Sequence, residues 1–181
     1  ILLCWGAEYS NVKFSWIKWI AVYTCRCGYY FITEFIMVKD KVKLKGRVSI
    51  FLNNKKVKEI DNLVVTAGKD WIASRMQGVT DGVMTHMTIG TGTTAAVIAD
   101  TTLETSIFHQ ALAVSGGSVT GSVITFAATI AAGSGTGAIT EAGIFNNATI
   151  DTGDMLARTV FSAVNKGAAD SMTISWDVTI S

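Results

Sequence analysis

Gly137-Ala138-Ile139-Thr140-Glu141-Ala142-Gly143-Ile144-Phe145 and its echo Met155-Leu156-Ala157-Arg158-Thr159-Val160-Phe161 decide how this chain is read. The first run sets one carboxylate, Glu141, between two apolar ends, Ile139 and Phe145. The second puts Leu156, Arg158 and Val160 at alternate positions, one face of a period-two strand. The polar stretch from Asn146 to Asp154 is short enough to fold the second run back beside the first. An acid inside an apolar strand needs a partner, and Arg158 is the candidate. The pair would lock strand register, a structural role that is favoured here over a catalytic carboxylate, because a lone acid with one arginine is a common satisfied ion pair. Gly143 marks a bulge or the close approach of another backbone.

Strand patterns continue on both sides. Met172 to Ile180 has apolar residues at every even position, including Trp176, which predicts a strand central to its sheet. Ser122 to Ala131 alternates, with Ile124, Phe126, Ala128 and Ile130 on the core face. Ile107 to Val114 and Met84 to Ile89 read as further strands. Asn165 to Asp170 reads as a turn-rich loop, and Asp100 to Glu104 as a loop with Leu103 anchored inward. Upstream the period changes. Ala67, Trp71, Ile72, Arg75 and Met76 fit helical spacing, with Thr66 as the capping hydroxyl and Gly78 as the stop. Trp71 and Met76 are expected to pack this helix on a sheet. The core anchors are therefore Trp71, Ile139, Phe145, Leu156 and Trp176.

From Lys39 to Asp61 the chain carries eight of its fifteen basic residues. Val42, Leu44, Val48, Ile50 and Leu52 make a half-buried strand there. Asn53-Asn54-Lys55-Lys56 supplies a turn, and Val57 to Ile60 the returning strand. Lys41, Lys43 and Lys45 fall on the other face, read as a solvated, lysine-guarded edge rather than a phosphate-binding patch. With 181 residues and a formal charge of +1, the chain can bury one real core and has no general polyanion-binding balance. Proline is absent and small and β-branched residues dominate the second half, so the class reads as mainly β. The architecture expected is an antiparallel, jelly-roll-like β-sandwich with one short helix near its start.

Composition divides the chain. All three cysteines, all four tyrosines and three of the five tryptophans precede Met37. The boundaries expected are 1–36 as a leader, 37–62 as a basic hairpin and 63–181 as the sandwich. The leader reads as translation upstream of the natural start. A membrane span from Phe14 to Val38 is the competing reading, but Lys18, Arg26 and Glu34 interrupt it below the ~18 apolar residues that a spanning helix needs. Cys25-Arg26-Cys27 lacks the spacing of redox or zinc motifs.

Candidate chemistry is sparse. His86 and His109 sit in alternating strands without a glutamate or second histidine at ligand spacing. No Gly-x-Ser-x-Gly elbow occurs. Gly90-x-Gly92 and Gly133-x-Gly135-x-Gly137 match neither a dinucleotide fingerprint nor a phosphate loop and read as loop punctuation. Asp151 and Asp154 flank Gly153 but supply too few oxygens for calcium by themselves.

The order of features is nevertheless familiar: Val65-Thr66 and Gly68 opening a helix, then Thr85-His86-Met87-Thr88-Ile89-Gly90-Thr91-Gly92, then Asp100 and Leu103, then Ile139-Thr140-Glu141-Ala142-Gly143-Ile144-Phe145, Leu156-Ala157-Arg158, Lys166 and a last alternating strand. From Leu63 to Ser181 the chain resembles the β-rich structural domains of tailed bacteriophages, and is similar in particular to the N-terminal domain of tail fibre proteins of contractile-tailed phages. The resemblance implies a virion part without chemistry or cofactor of its own. Its partners would be other virion proteins of the tail or baseplate, or of the capsid. It would form a homo-oligomer, with neither nucleic acid nor membrane as partner. A capsid decoration protein and a carbohydrate-binding β-sandwich module are the alternatives.

Overall fold

The computed structural model describes the backbone at residues 9–13, 19–24, 30–34, 42–78 and 82–181. The three cysteines, Lys41 and the expected boundary at 36/37 lie outside the described residues. The chain divides into two compact units, Ile1–Lys41 and Val42–Ser181. The first contains an antiparallel sheet of β1 (Tyr9–Lys13), β2 (Trp19–Thr24) and β3 (Tyr30–Glu34), with β2 in the middle.

The second unit is mainly β, with one helix among the described residues. Its elements are β4 (Leu44–Leu52), β5 (Lys55–Val64), α1 (Thr66–Gln77), β6 (His86–Gly90), β7 (Ser106–Ala111), β8 (Ser118–Thr120), β9 (Val123–Ile130), β10 (Gly137–Phe145), β11 (Met155–Lys166) and β12 (Met172–Ile180). The nine strands form one antiparallel sheet in the order β7-β6-β10-β11-β5-β4-β12-β9-β8. The sheet is continuous but narrows in its middle, because β5 and β11 pair only at Val64↔Ala157 and Leu63↔Arg158. The two wings on either side of this junction share one apolar core. Val48, Ile50, Phe126, Ile130, Ile174 and Trp176 come from one wing, and Met87, Ile89, Ile139, Ala142 and Ile144 from the other. On the far side the backbone N–H of Ala113, just past β7, donates to Ala127 of β9, so the outer strands meet again.

The basic hairpin is not separate from the domain that follows. β4 and β5 lie in the middle of the sheet between β12 and β11, so the expected division at 62/63 is replaced by one unit beginning at Val42. Its turn is Asn53-Asn54 alone, both at positive φ (50° and 65°), as a two-residue hairpin turn requires. Val48 and Ile50 are fully buried, whereas Val42 is exposed. β12 pairs with β4 and β9 along its length, the central position that its alternation predicts.

The helix ends at Gly78 in the left-handed conformation, whose N–H bonds back to Ser74 and Arg75. Its start differs from expectation. Val65 is the cap residue and no side chain caps the first turn; Thr66 is already helical, and its N–H donates to the Ile98 carbonyl instead. Met76 is 85% exposed and takes no part in the core, while half-buried Trp71 leans on the core and donates from Nε1 to the Gly82 carbonyl (2.9 Å). The helix sits on β11 through Gly68, where a Cβ would overlap the Leu156 carbonyl.

Candidate functional site

Glu141 is fully buried on β10, and a bulge between Ile139 and Glu141 sets its register opposite Val160. Gly143 stands opposite Arg158, so acid and base meet on the diagonal of the β10–β11 hairpin. Arg158 donates to Oε2 from both Nε (3.1 Å) and Nη2 (2.8 Å). Three backbone N–H groups complete the carboxylate: Gly92 (2.9 Å) and Thr105 (2.8 Å) on Oε1, and Glu104 (3.1 Å) on Oε2.

All three of those donors belong to the segment between β6 and β7, which has no ladder of its own to satisfy them. The segment is bound at further points. Thr140 Oγ1 donates to the Gly92 carbonyl (2.7 Å), and Arg158 donates from Nη1 to Asp100 (2.7 Å) and from Nη2 to the Thr94 carbonyl (3.2 Å). Glu104 accepts from the N–H groups of Thr93 and Thr94 and from the Thr94 hydroxyl. Those bonds, led by the two from Thr94, hold its carboxyl below the usual range. Burial opposes the Arg158 charge, but Asp100 and Glu141 outweigh it, so its pKa rises. Beneath the segment lies a second apolar cluster of Val65, Leu103, Phe145 and Met155, which accounts for the inward anchoring of Leu103.

The glycines at 90 and 92 do more than break a strand. A Cβ on either would overlap the Glu141 side chain, so both make room for the carboxylate. Gly143, by contrast, admits a side chain rather than another backbone: the Leu103 methyl lies over it. Leu156 and Arg158 do not share a face as alternation suggests. A second bulge, between Ile144 and Phe145, turns Leu156 into the main core beside Ala157. Ile139, Phe145 and Trp176 are fully buried, and Trp71 is the anchor that remains part-exposed.

Lys166 also departs from expectation. It ends β11 rather than lying in a loop, and is 2% exposed, with Nζ donating to the carbonyls of Ala131 (2.9 Å) and Ser134 (2.8 Å). It pins the turn that carries Gly133 and Gly135, both at positive φ and in keeping with their reading as loop residues, whereas Gly137, also at positive φ, already opens β10 opposite Lys166 itself.

The histidines are brought together. His86 on β6 and His109 on β7 stack with centroids 4.4 Å apart and planes 3° from parallel. His109 Nδ1 lies 2.7 Å from the Thr88 hydroxyl and Nε2 3.1 Å from the Asn147 carbonyl. A hydroxyl, an imidazole and an orienting carbonyl resemble part of a nucleophile relay, but Thr88 has no exposed surface from which to reach a substrate. Asp151 accepts from the Ser106 hydroxyl (2.5 Å) and Asp154 from Asn146 Nδ2 (2.8 Å). Among the described residues no three His, Cys, Asp or Glu side chains are grouped to hold a metal ion.

Two hollows open among the described residues. One of about 330 Å³ lies between β5, β11 and residues 93–96, with Asp61 and Arg158 in its wall. The other, about 290 Å³ and apolar, lies between Trp71, Ile72 and Met76 of the helix and Ile124, Phe126 and Val178 of the sheet. Glu141 lines neither. Among the described residues no helix is long and apolar enough to cross a membrane. No protein-family model matches the chain, and neither the curated proteins nor the solved structures contain a match to it.

Sequence signals for this lock were partial. Glu141 and Arg158 stand out as charges inside apolar strands, whereas Asp100 and Glu104 look like ordinary loop acids until Arg158 is placed beneath them.

Proposed function

We propose that the chain is a non-enzymatic structural protein of a tailed-bacteriophage virion, an attachment domain of a tail fibre or baseplate. It works as a homo-oligomer among other virion proteins, without cofactor, nucleic acid or membrane; a capsid decoration protein is the alternative placement. One observation carries the reading: the buried acid and base are both used up in holding a loop. Glu141 accepts five hydrogen bonds, and its guanidinium partner is further engaged by Asp100 and Thr94. A scaffold spends its charges this way, whereas catalysis keeps one poised toward substrate. The order of sequence features shared with phage tail fibre domains supports the same conclusion. The curled sheet serves as a sandwich in this reading, its two wings facing each other across the core.

The carbohydrate-binding alternative needs exposed aromatic side chains gathered on one surface, and Phe126, Phe145, Phe161 and Trp176 are buried. Sedimentation equilibrium of the full chain with a glycan array separates the two. A trimer or larger species that binds no glycan supports the virion reading; a monomer that binds glycan overturns it. Mass spectrometry of purified virions tests the location directly, and absence of the chain from every virion preparation would also overturn the proposal.

A further inference from the structure

We propose that the stacked His86–His109 pair is a proton-operated latch that holds the β10–β11 loop, Asn146–Asp154, against the edge strand β7. This goes beyond the virion reading and does not depend on it.

The hydrogen bonds of His109 fix its neutral form. A carbonyl only accepts, so the Nε2 that faces the Asn147 carbonyl carries the hydrogen, and Nδ1 is bare and accepts from the Thr88 hydroxyl. The result is a relay from β6 through β7 to the loop. Adding a proton to Nδ1 forces the Thr88 hydroxyl to turn and accept, and its own hydrogen then points into a site with no exposed surface. His86 has no such constraint: its Nδ1 lies 2.9 Å from the part-buried Thr85 hydroxyl. The first proton therefore belongs on His86, where an imidazolium stacked on a neutral ring is tolerated.

The second proton meets two obstacles, the like charge one ring away and the buried hydroxyl. Burial already pushes both imidazoles below their ordinary value. Among the described residues the charged and titratable groups around the pair are few: His86 from β6, His109 from β7 and Asp151 from the loop, which favours charge on His109. Asp154, on the same loop, is bonded to Asn146, and β10 presents only the uncharged edge of Phe145. Once both rings are charged the stack separates, His109 leaves Asn147, and the Ser106–Asp151 bond remains as the loop's tie to β7.

The test is a histidine NMR titration of the full chain from pH 8 to pH 4, with amide hydrogen exchange read in the loop. The latch predicts two steps separated by about one pH unit or more, His86 first. Exchange across Asn146–Asp154, corrected for its intrinsic pH dependence, should rise with the second step and not with the first. In His86→Gln the His109 step should move upward. Coincident titration of the two rings, loop exchange that ignores the second step, or an unmoved His109 in the variant would each overturn the proposal. Should that variant fail to fold, the wild-type titration and exchange decide alone.

Discussion

At the scale of the residue, the question is why a charge is buried at Glu141 at all. A buried ion pair is weak evidence of stability, since desolving both ions offsets most of their attraction, and a well-packed apolar pair often does as well. An apolar pair cannot serve here, because Gly92, Glu104 and Thr105 present backbone N–H groups that have only this carboxylate to receive them. The acid is an acceptor for a loop, and Arg158 neutralises it. Glu141→Gln should cost about 3–5 kcal/mol, the usual result of breaking one side of a buried pair. Arg158→Met should cost about the same, and the double variant should cost much less than the sum, because both changes remove one interaction. Urea unfolding of the three proteins measures this; additive losses would show that the two side chains act separately.

The titrating side chains set a pH profile on the same scale. His86 and His109 have folded-state values lowered by burial, so the unfolded chain binds protons more readily. Their contribution is complete above the unfolded value of about 6.5 and declines as pH falls below it. Asp170, lowered first by its bond from Asn53, and Glu104, lowered first by Thr94, work in a more acid window. Their contribution is present above their ordinary carboxylate values and is lost as pH drops further. Thermal midpoints followed from pH 8 to pH 3 should therefore fall in two stages. A midpoint that rises between pH 7 and pH 5 would contradict the assignment for the histidines.

At the scale of the element, α1 shows where propensity and packing disagree. Glycine is a poor helix residue, and Gly68→Ala in an isolated helix would gain up to about 1 kcal/mol. Here the added methyl meets the Leu156 carbonyl, a backbone atom that cannot turn aside, and the Val65 N–H bond to that same carbonyl (3.3 Å) would be strained with it. Overpacking of this kind costs about 1–3 kcal/mol, so packing should prevail and the variant should melt lower than the parent. A higher midpoint would mean that the helix can lift from β11 without loss. The glycine stop of this helix is readable in the sequence because a left-handed residue has a chemical signature. Its start is not, because a long-range bond from the Thr66 N–H to the Ile98 carbonyl stands where the sequence suggests a local cap by the Thr66 hydroxyl.

At the scale of the whole unit, what is legible follows from which faces are covered. β12 and β9 bury one face each, so their alternation can be read residue by residue. β10 is buried from Ile139 to Phe145 on both faces, between the main core and the 91–105 segment, and its period is therefore hidden. The continuity of the sheet is hidden too, since it rests on two residue pairs between β5 and β11 that no local pattern announces.

The same topology makes the last strand indispensable. β4 begins the unit and β12 ends it, yet they pair from Leu44↔Ile180 to Leu52↔Met172, and β12 alone joins β4 to β9. Asn53 ties the two ends further, donating to Asp170 (2.7 Å) and accepting from the Ser171 N–H (2.9 Å). Closing so long a loop before its contacts form is slow, so the intact chain should refold in milliseconds to seconds, as β-folds with distant pairings do. Removing Met172–Ser181 withdraws Trp176, Ile174 and Val178 from the core and leaves the facing edges of β4 and β9 unpaired. The shortened chain should then show no cooperative urea transition, and amide exchange should be unprotected in β10 and β11 as well as beside the cut. Protection that survived in β10 and β11 would mean that their wing folds independently, and that the shared core is not what unites the sheet.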